Sequence, residues 1–142
     1  MSRKRDDLRR RKPFAEPRAH ILVCCERNGA EPSYFRGLTR EGHNNLLHIE
    51  IKPRSLVSQS LVDYAVRLKH DAEKNARSQG DDNLKYDEVW SVFDVDAHPR
   101  VLDAKKKAEA NRIKMAISHP CFELWLLLHF QDQRAHIERD RV

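Results

Sequence analysis

A short apolar run that ends in two acids is the feature that most limits how this chain can fold. Residues 89–93 are apolar, with β-branched and aromatic side chains, and lead directly into Asp94-Val95-Asp96. This composition is typical of a strand buried on both faces. Carboxylates at positions i and i+2 of an extended chain point the same way, and two like charges at the end of a buried strand are costly. The pattern therefore predicts a hard divalent cation between Asp94 and Asp96.

Three other apolar runs, with helical patterns between them, predict an alternating fold. We expect strands over residues 20–25, 46–51 and 113–117, with Pro53 ending the second of these strands. Helices are expected from Pro32, over residues 56–78, over residues 104–111 and from Pro120 to Phe130. Alternating strands and helices indicate an α/β fold, here a mainly parallel four-stranded sheet flanked by helices.

Composition indicates a single soluble domain. The 142 residues are 39% hydrophobic and 35% charged, and a chain of this size buries about 68% of its unfolded surface. No apolar run approaches the roughly 20 residues of a membrane span, and the basic start lacks the apolar segment of a secretory signal. We therefore expect a cytoplasmic protein. The three cysteines show no metal-binding spacing and are expected to be buried, reduced packing residues.

The formal net charge of +5 is concentrated in part at the amino terminus. Residues 1–12 hold seven Arg or Lys against two Asp. Such a block is typical of a flexible segment that attracts polyanions. We interpret residues 1–18 as a basic arm, either solvated or in contact with a phosphate backbone, and residues 19–142 as the folded domain.

The carboxyl ends of parallel strands meet at one edge of a sheet, where functional groups collect. Glu26 ends the first predicted strand, Asp94 and Asp96 end the third, and His119 follows the fourth. Glu123 comes one helical turn after that. Four carboxylates from three segments are therefore expected to converge at this edge.

These motifs resemble a known family. A strand ending in Glu26, followed by a strand ending in Asp94-Val95-Asp96, is similar to the layout of Toprim domains. The blocks 25–26, 31–35, 92–98 and 120–130 resemble the RloB-like family more closely, and the last block, with Pro120-Cys121-Phe122-Glu123-Leu124-Trp125, is the most specific. The resemblance covers about residues 20–131 and implies a Toprim-like fold.

The resemblance also implies a function. RloB-like proteins are associated with restriction loci and abortive phage defence, often beside an ATPase, so nucleic acid (DNA or RNA) and an ATPase are the expected partners. A Mg²⁺-dependent nuclease, or nuclease-like subunit, would hold one or two Mg²⁺ ions, or Mn²⁺, through Glu26, Asp94 and Asp96. The family usually continues beyond the position of Val142, so we expect the domain to be carboxyl-terminally incomplete.

Further residues are candidates for supporting roles. Arg27 would bind a phosphate, and His98 and His119 would position a phosphate or carry a proton. Glu31 and Glu123 would support the metal ligands, although an acid in the first turn of a helix is also favoured by the helix dipole. Trp125 is expected in the core, with an exposed stripe that docks a partner as the alternative. His129 is expected to be a packed helix residue.

Two other functions stay open. In a phosphotransferase or phosphatase, Asp94 would be the nucleophile and Ser118 would serve as the hydroxyl residue. The required lysine at a strand end fits less well, because Lys114 lies within the predicted fourth strand rather than at its end. A non-catalytic Toprim-like module would bind nucleic acid or an ATPase without cleaving anything. Arg27 and Ala97 favour this last alternative, because the family usually has Gly and an acid at these positions.

Overall fold

The computed structural model describes residues 18–26, 29–41, 47–54, 58–95, 100–137 and 141–142. The strands are β1 (Ala19–Glu26), β2 (Leu47–Arg54), β3 (Glu88–Asp94) and β4 (Lys114–Ser118). The helices are α1 (Glu31–Glu41), α2 (Ser58–Gln79), α3 (Val101–Ala110) and α4 (Phe122–Leu127), with a short 3₁₀ turn at Asp82–Leu84. None of the described helices is both long enough and apolar enough to cross a membrane.

The four strands form one parallel sheet in the order β2-β1-β3-β4. In the centre, Cys25 of β1 lies opposite Val92 of β3. At the far side, Asp94 of β3 lies opposite Ser118 of β4. The expected mainly parallel, four-stranded α/β sheet is confirmed. This register brings the carboxyl ends of β1, β3 and β4 to the same edge.

Helices cover both faces of the sheet. On one face, α2 and α3 pack small and branched side chains such as Leu61, Ala65 and Ala104 against Leu22 and Phe93. A second core cluster forms on the other face. It contains Val23, Cys25, Val92 and Phe122, with Tyr34, Phe35 and Leu126 packed against it. Alternation along β3 places Asp94 on the same face as Val92, which is the face of α1 and α4.

Several predicted element boundaries need correction. Pro53 does not end the second strand, because β2 runs on to Arg54 and pairs with β1 through Pro53. A proline is tolerated there because β2 is an edge strand of the described sheet. The last helix is shorter than expected and ends at Leu127. The predicted helix start near residue 56 lies outside the described residues.

The expectation that Trp125 lies in the core is wrong. Its side chain is 50% exposed, and Leu128 and Phe130 are exposed as well. Helix α4 has only six residues and packs on the sheet mainly through Phe122 and Leu126. No described element covers its outer side, so the all-round apolar pattern does not correspond to all-round burial. His129 is exposed too, with its ring edge-on to Trp125 at 4.9 Å between centroids.

The cysteines behave as expected. Cys24, Cys25 and Cys121 are buried free thiols. Burial raises the pKa of Cys24 and of Cys25 to about 12. Both thiols therefore stay protonated at neutral pH and act as small apolar packing groups.

Candidate active site at the carboxyl edge of the sheet

Four acids collect at the carboxyl edge of the sheet, and we call them the acidic cluster: Glu26, Glu31, Asp94 and Glu123. Glu26 ends β1 and is half-buried, whereas Asp94 ends β3 and is buried. Glu31 begins α1, and Glu123 lies in the first turn of α4 and is exposed. The carboxylates of Glu26, Asp94 and Glu123 all act electrostatically on Glu31. Of the four acids expected to converge, Glu26, Asp94 and Glu123 lie near one another, and Asp96 is outside the described residues. Glu31, a candidate for a supporting role, joins them.

Glu31 is the most unusual member of the cluster, because its side chain is only 2% exposed. Burial raises the pKa of its carboxyl group to about 7. The charges of the other three acids act in the same direction, while a hydrogen bond from its own backbone N–H acts in the opposite direction. Its Oε2 atom is buried and accepts no hydrogen bond from the described residues. A buried carboxylate with this environment needs either a proton or a cation.

The turn before α1 explains how a carboxyl group can lie so deep. A methyl group built on Gly29 would overlap the Glu31 carboxyl group, with its carbon closest to Oε2. Only a glycine leaves this space open. The helix then begins at once, with the N–H of Tyr34 donating to the carbonyl of Ala30 at 3.0 Å. Nothing in the sequence pattern around Gly29 indicates this role.

The end of β4 adds a second group that the sequence analysis did not assign to the site. Burial raises the pKa of the Cys121 thiol, and the thiol also donates a hydrogen bond to the Glu123 carboxylate. The charge of Asp94 raises this pKa as well. Cys121 therefore contacts Glu123 and lies near Asp94. Pairing between β3 and β4 continues up to this point, since the N–H of Val95 donates to the carbonyl of Ser118 at 2.9 Å.

Two of the three predicted metal ligands, Glu26 and Asp94, are among the described residues. Asp96 lies outside the described residues, and within them no three His, Cys, Asp or Glu side chains form a ready-made metal site. The chemistry of the donors nevertheless fits Mg²⁺, which takes a few carboxylates and keeps several waters. Mutually repelling acids around the buried Glu31 oxygen are also the setting that a cation relieves. The Mg²⁺ site stays a prediction.

The other predicted residues divide into three groups. Arg27 and His98 lie outside the described residues. His119 is exposed at the carboxyl end of β4. Lys114 lies at the opposite end of β4, where its ammonium binds Glu88 at 2.6 Å. Lys114 is therefore at the wrong end of its strand for a phosphotransferase centre built on Asp94.

Comparison with known proteins gives one family. The model of the family described as RloB-like protein matches residues 21–142, which is most of the chain. Searches of curated proteins and of solved structures found no match.

Proposed function

The chain belongs to the RloB-like family, and from this membership and the acidic cluster we propose that it is a Mg²⁺-dependent nuclease or nuclease-like subunit. Its substrate would be the phosphodiester backbone of DNA or RNA. The observation that carries the proposal is the buried Glu31 carboxyl group, surrounded by Glu26, Asp94 and Glu123. Acids are brought together in this way at the cost of mutual repulsion, which a divalent cation offsets.

In the proposed mechanism the acids divide the work. Glu26 and Asp94, with Asp96, would hold the metal at the strand ends. When bound, Mg²⁺ supplies Lewis-acid stabilisation of the phosphate oxygens and eases ionisation of the attacking water. Glu31 would accept the proton of the attacking water, because its buried carboxyl group lies among the acids that would hold the metal. The products would be a phosphate monoester and a free hydroxyl.

The biological setting of the proposal comes from the family resemblance. An RloB-like nuclease would act in abortive phage defence and would bind an ATPase partner as well as nucleic acid. Excess positive charge, with a net +5 for the whole chain, supports a polyanionic substrate. A phosphotransferase is less well supported, because Lys114 pairs with Glu88 at the far end of β4.

The test is cleavage of labelled single-stranded DNA, duplex DNA and RNA by the purified chain in Mg²⁺, in Mn²⁺ and in chelator. We expect metal-dependent cleavage that Asp94→Asn lowers about 100-fold or more, because a metal ligand contributes several kcal/mol to transition-state stabilisation. Asp63→Asn is the matched control, since Asp63 is a half-exposed acid on α2 that pairs with Lys107. Its cleavage rate should equal that of the wild type.

Other results would change the assignment. Nucleic-acid binding without cleavage, unaffected by chelator and by an added ATPase partner, would identify a non-catalytic module. A phosphorylated Asp94 trapped with a phosphate donor would identify a phosphotransferase. Cleavage that appears only with the ATPase partner present would assign the nuclease to the complex.

A further inference from the structure

An open groove of about 530 Å³ lies between α1, β4 and α4, beside the acidic cluster. Four of the six exposed large apolar side chains among the described residues line it: Leu38, Ile117, Trp125 and Leu128. Aromatic rings form part of its wall, with Tyr34 and Phe122 edge-on at 5.5 Å between centroids. Apolar surface concentrated in one place on a small protein is typical of a binding site.

The groove is polar at one end and apolar at the other. Ser118 and Cys121 line it at the carboxyl end of β4, and the Cys121 thiol bonds to Glu123 and lies close enough to Asp94 to be affected by its charge. Ser118 pairs with Asp94 across the sheet, so this end of the groove lies beside the acidic cluster. Leu38 and Leu128 lie about two helical turns further along α1 and α4. A ligand that fills the groove must be aromatic or apolar at one end and must meet the acids at the other.

We propose that this groove binds one unstacked base of the nucleic-acid strand whose phosphate lies at the acidic cluster. The inference rests on the proposed nuclease function and specifies its substrate as single-stranded or locally unpaired nucleic acid. A nucleotide has the required polarity, because its base is a flat aromatic ring and its phosphate binds a metal held by acids. The volume lies within the range of ligand pockets. Exposed aromatic side chains such as Trp125 are common stacking platforms for bases.

A second copy of the chain fits this groove less well. A two-fold contact brings the same surface patch of each copy against the other. Because one end of the groove lies beside the acidic cluster, such a contact would bring the two sets of acids close together, and like charges repel. A bound nucleotide avoids this repulsion, because the cation bound to its phosphate is positive and attracts the acids. A base in a duplex is already stacked and paired, so the groove favours a single strand.

The experiment measures binding through the fluorescence of Trp125. The chain has two tryptophans, so Trp90→Phe leaves Trp125 as the only one. This variant is titrated with a 12-nucleotide single strand in Ca²⁺, a hard cation that takes the same oxygen ligands as Mg²⁺. We expect saturable quenching of Trp125 fluorescence. Affinity should fall about tenfold or more for the same strand with abasic sites, and also for a duplex of the same sequence.

Substitutions inside and outside the groove separate a loss of binding from a loss of folding. With a fluorescently labelled strand, Trp125→Ala should weaken binding about tenfold or more, whereas Trp125→Phe should restore most of the affinity. Leu102→Ala is the matched control, because Leu102 is 76% exposed on α3 and lies outside the groove. Its affinity should equal that of the wild type.

Three results would overturn the inference: equal affinity for the base-bearing and the abasic strand, equal affinity for the strand and the duplex, or a dimer in solution that Trp125→Ala dissociates.

The two proposals can fail separately. Base-dependent binding without any cleavage in Mg²⁺, with or without the ATPase partner, would support the groove and contradict the nuclease. Cleavage of intact and abasic strands at equal rates would support the nuclease and contradict the groove.

Discussion

Glu31 is the residue of this site whose ionised form is most strongly disfavoured by its surroundings. It is buried, its Oε2 atom has no hydrogen-bond partner among the described residues, and three carboxylates act on it. Each of these conditions disfavours the ionised form. Without a metal, the folded protein should therefore keep Glu31 protonated up to about pH 7, well above the usual range of a carboxyl group.

This pKa predicts how stability depends on pH in chelator. The pKa of Glu31 is raised from 4.5 to about 7 by folding, so between these pH values the folded state holds a proton that the unfolded state has lost. Stability from this group is complete below pH 4.5 and is lost as the pH rises to 7, by about 3 kcal/mol. Glu31→Gln should remove that loss, and urea unfolding of both proteins at pH 5 and pH 8 measures it.

Mg²⁺ supplies the control for this measurement. At pH 8 the ion should raise the unfolding temperature of the wild type, because it offsets the repulsion among the acids. At pH 5 protons compete for the same oxygens, so the effect should shrink. Equal pH dependence in wild type and Glu31→Gln would show that Glu31 is not the group responsible.

Gly29 allows a second prediction at the level of single atoms. Gly29→Ala places a methyl group where the Glu31 carboxyl group lies, so the carboxyl group must move out of its position. We expect nuclease activity to fall about tenfold or more, as it does when groups that support metal ligands are removed. Metal-dependent cleavage measures the effect.

Gly37→Ala is the matched control for Gly29→Ala. Gly37 lies within α1, and a methyl group built on it meets no other atom within 4 Å. Alanine in a helix interior should raise stability by about 0.5–1 kcal/mol, with unchanged activity. If the two variants cleave equally well, the position of the Glu31 carboxyl group does not matter for activity.

At the level of elements, α4 shows why a sequence pattern can mislead. The run from Phe122 to Leu128 is apolar on every side, which usually indicates a helix covered all round. In the structure the inner side, with Phe122 and Leu126, packs on the sheet, while Trp125 borders the open groove. The pattern predicts that the helix contacts apolar groups, but it does not say whether they belong to the fold or to a ligand.

The two sides of α4 should respond differently to truncation. Phe122 is 6% exposed and packs against Tyr34 and Phe35, so Phe122→Ala should lower the free energy of unfolding by about 3–5 kcal/mol. Trp125→Ala removes a half-exposed ring and should cost less than about 1.5 kcal/mol. Urea unfolding of both variants checks this. Similar costs would mean that Trp125 is buried in solution.

At the scale of the whole molecule, the sequence was sufficient for the sheet and insufficient for parts of the site. The β-branched runs and the helices between them predict parallel strands, and parallel strands bring Glu26 and Asp94 to one edge. Neither the burial of Glu31 nor the contact of Cys121 with Glu123 follows from spacing. Both depend on the conformation of the turns at Gly29 and after β4. This conformation depends on tertiary contacts between segments that are far apart in the sequence.

The expected basic arm gives a prediction for the whole chain. A protein that begins at Ala19 should unfold at the same temperature as the full chain, because the sequence predicts that residues 1–18 lie outside the fold. Its affinity for nucleic acid should be lower, and the log–log slope of affinity against salt should be shallower by about 0.7–0.9 for each phosphate that the arm neutralises in the full chain. Titrations at 50–200 mM salt measure this. An unchanged slope would mean that the arm binds no phosphate.

The strand order has a consequence for how the protein is synthesised. The centre of the sheet joins β1 to β3, and the N–H of Asp87 donates to the carbonyl of His20, 67 positions earlier. On the ribosome, pairing of β1 with β3 is therefore delayed until the chain between them has been translated, at about 5–20 residues per second. Glu123 emerges later still. The acidic cluster therefore assembles only after β1, β3 and the first turn of α4 have all been translated.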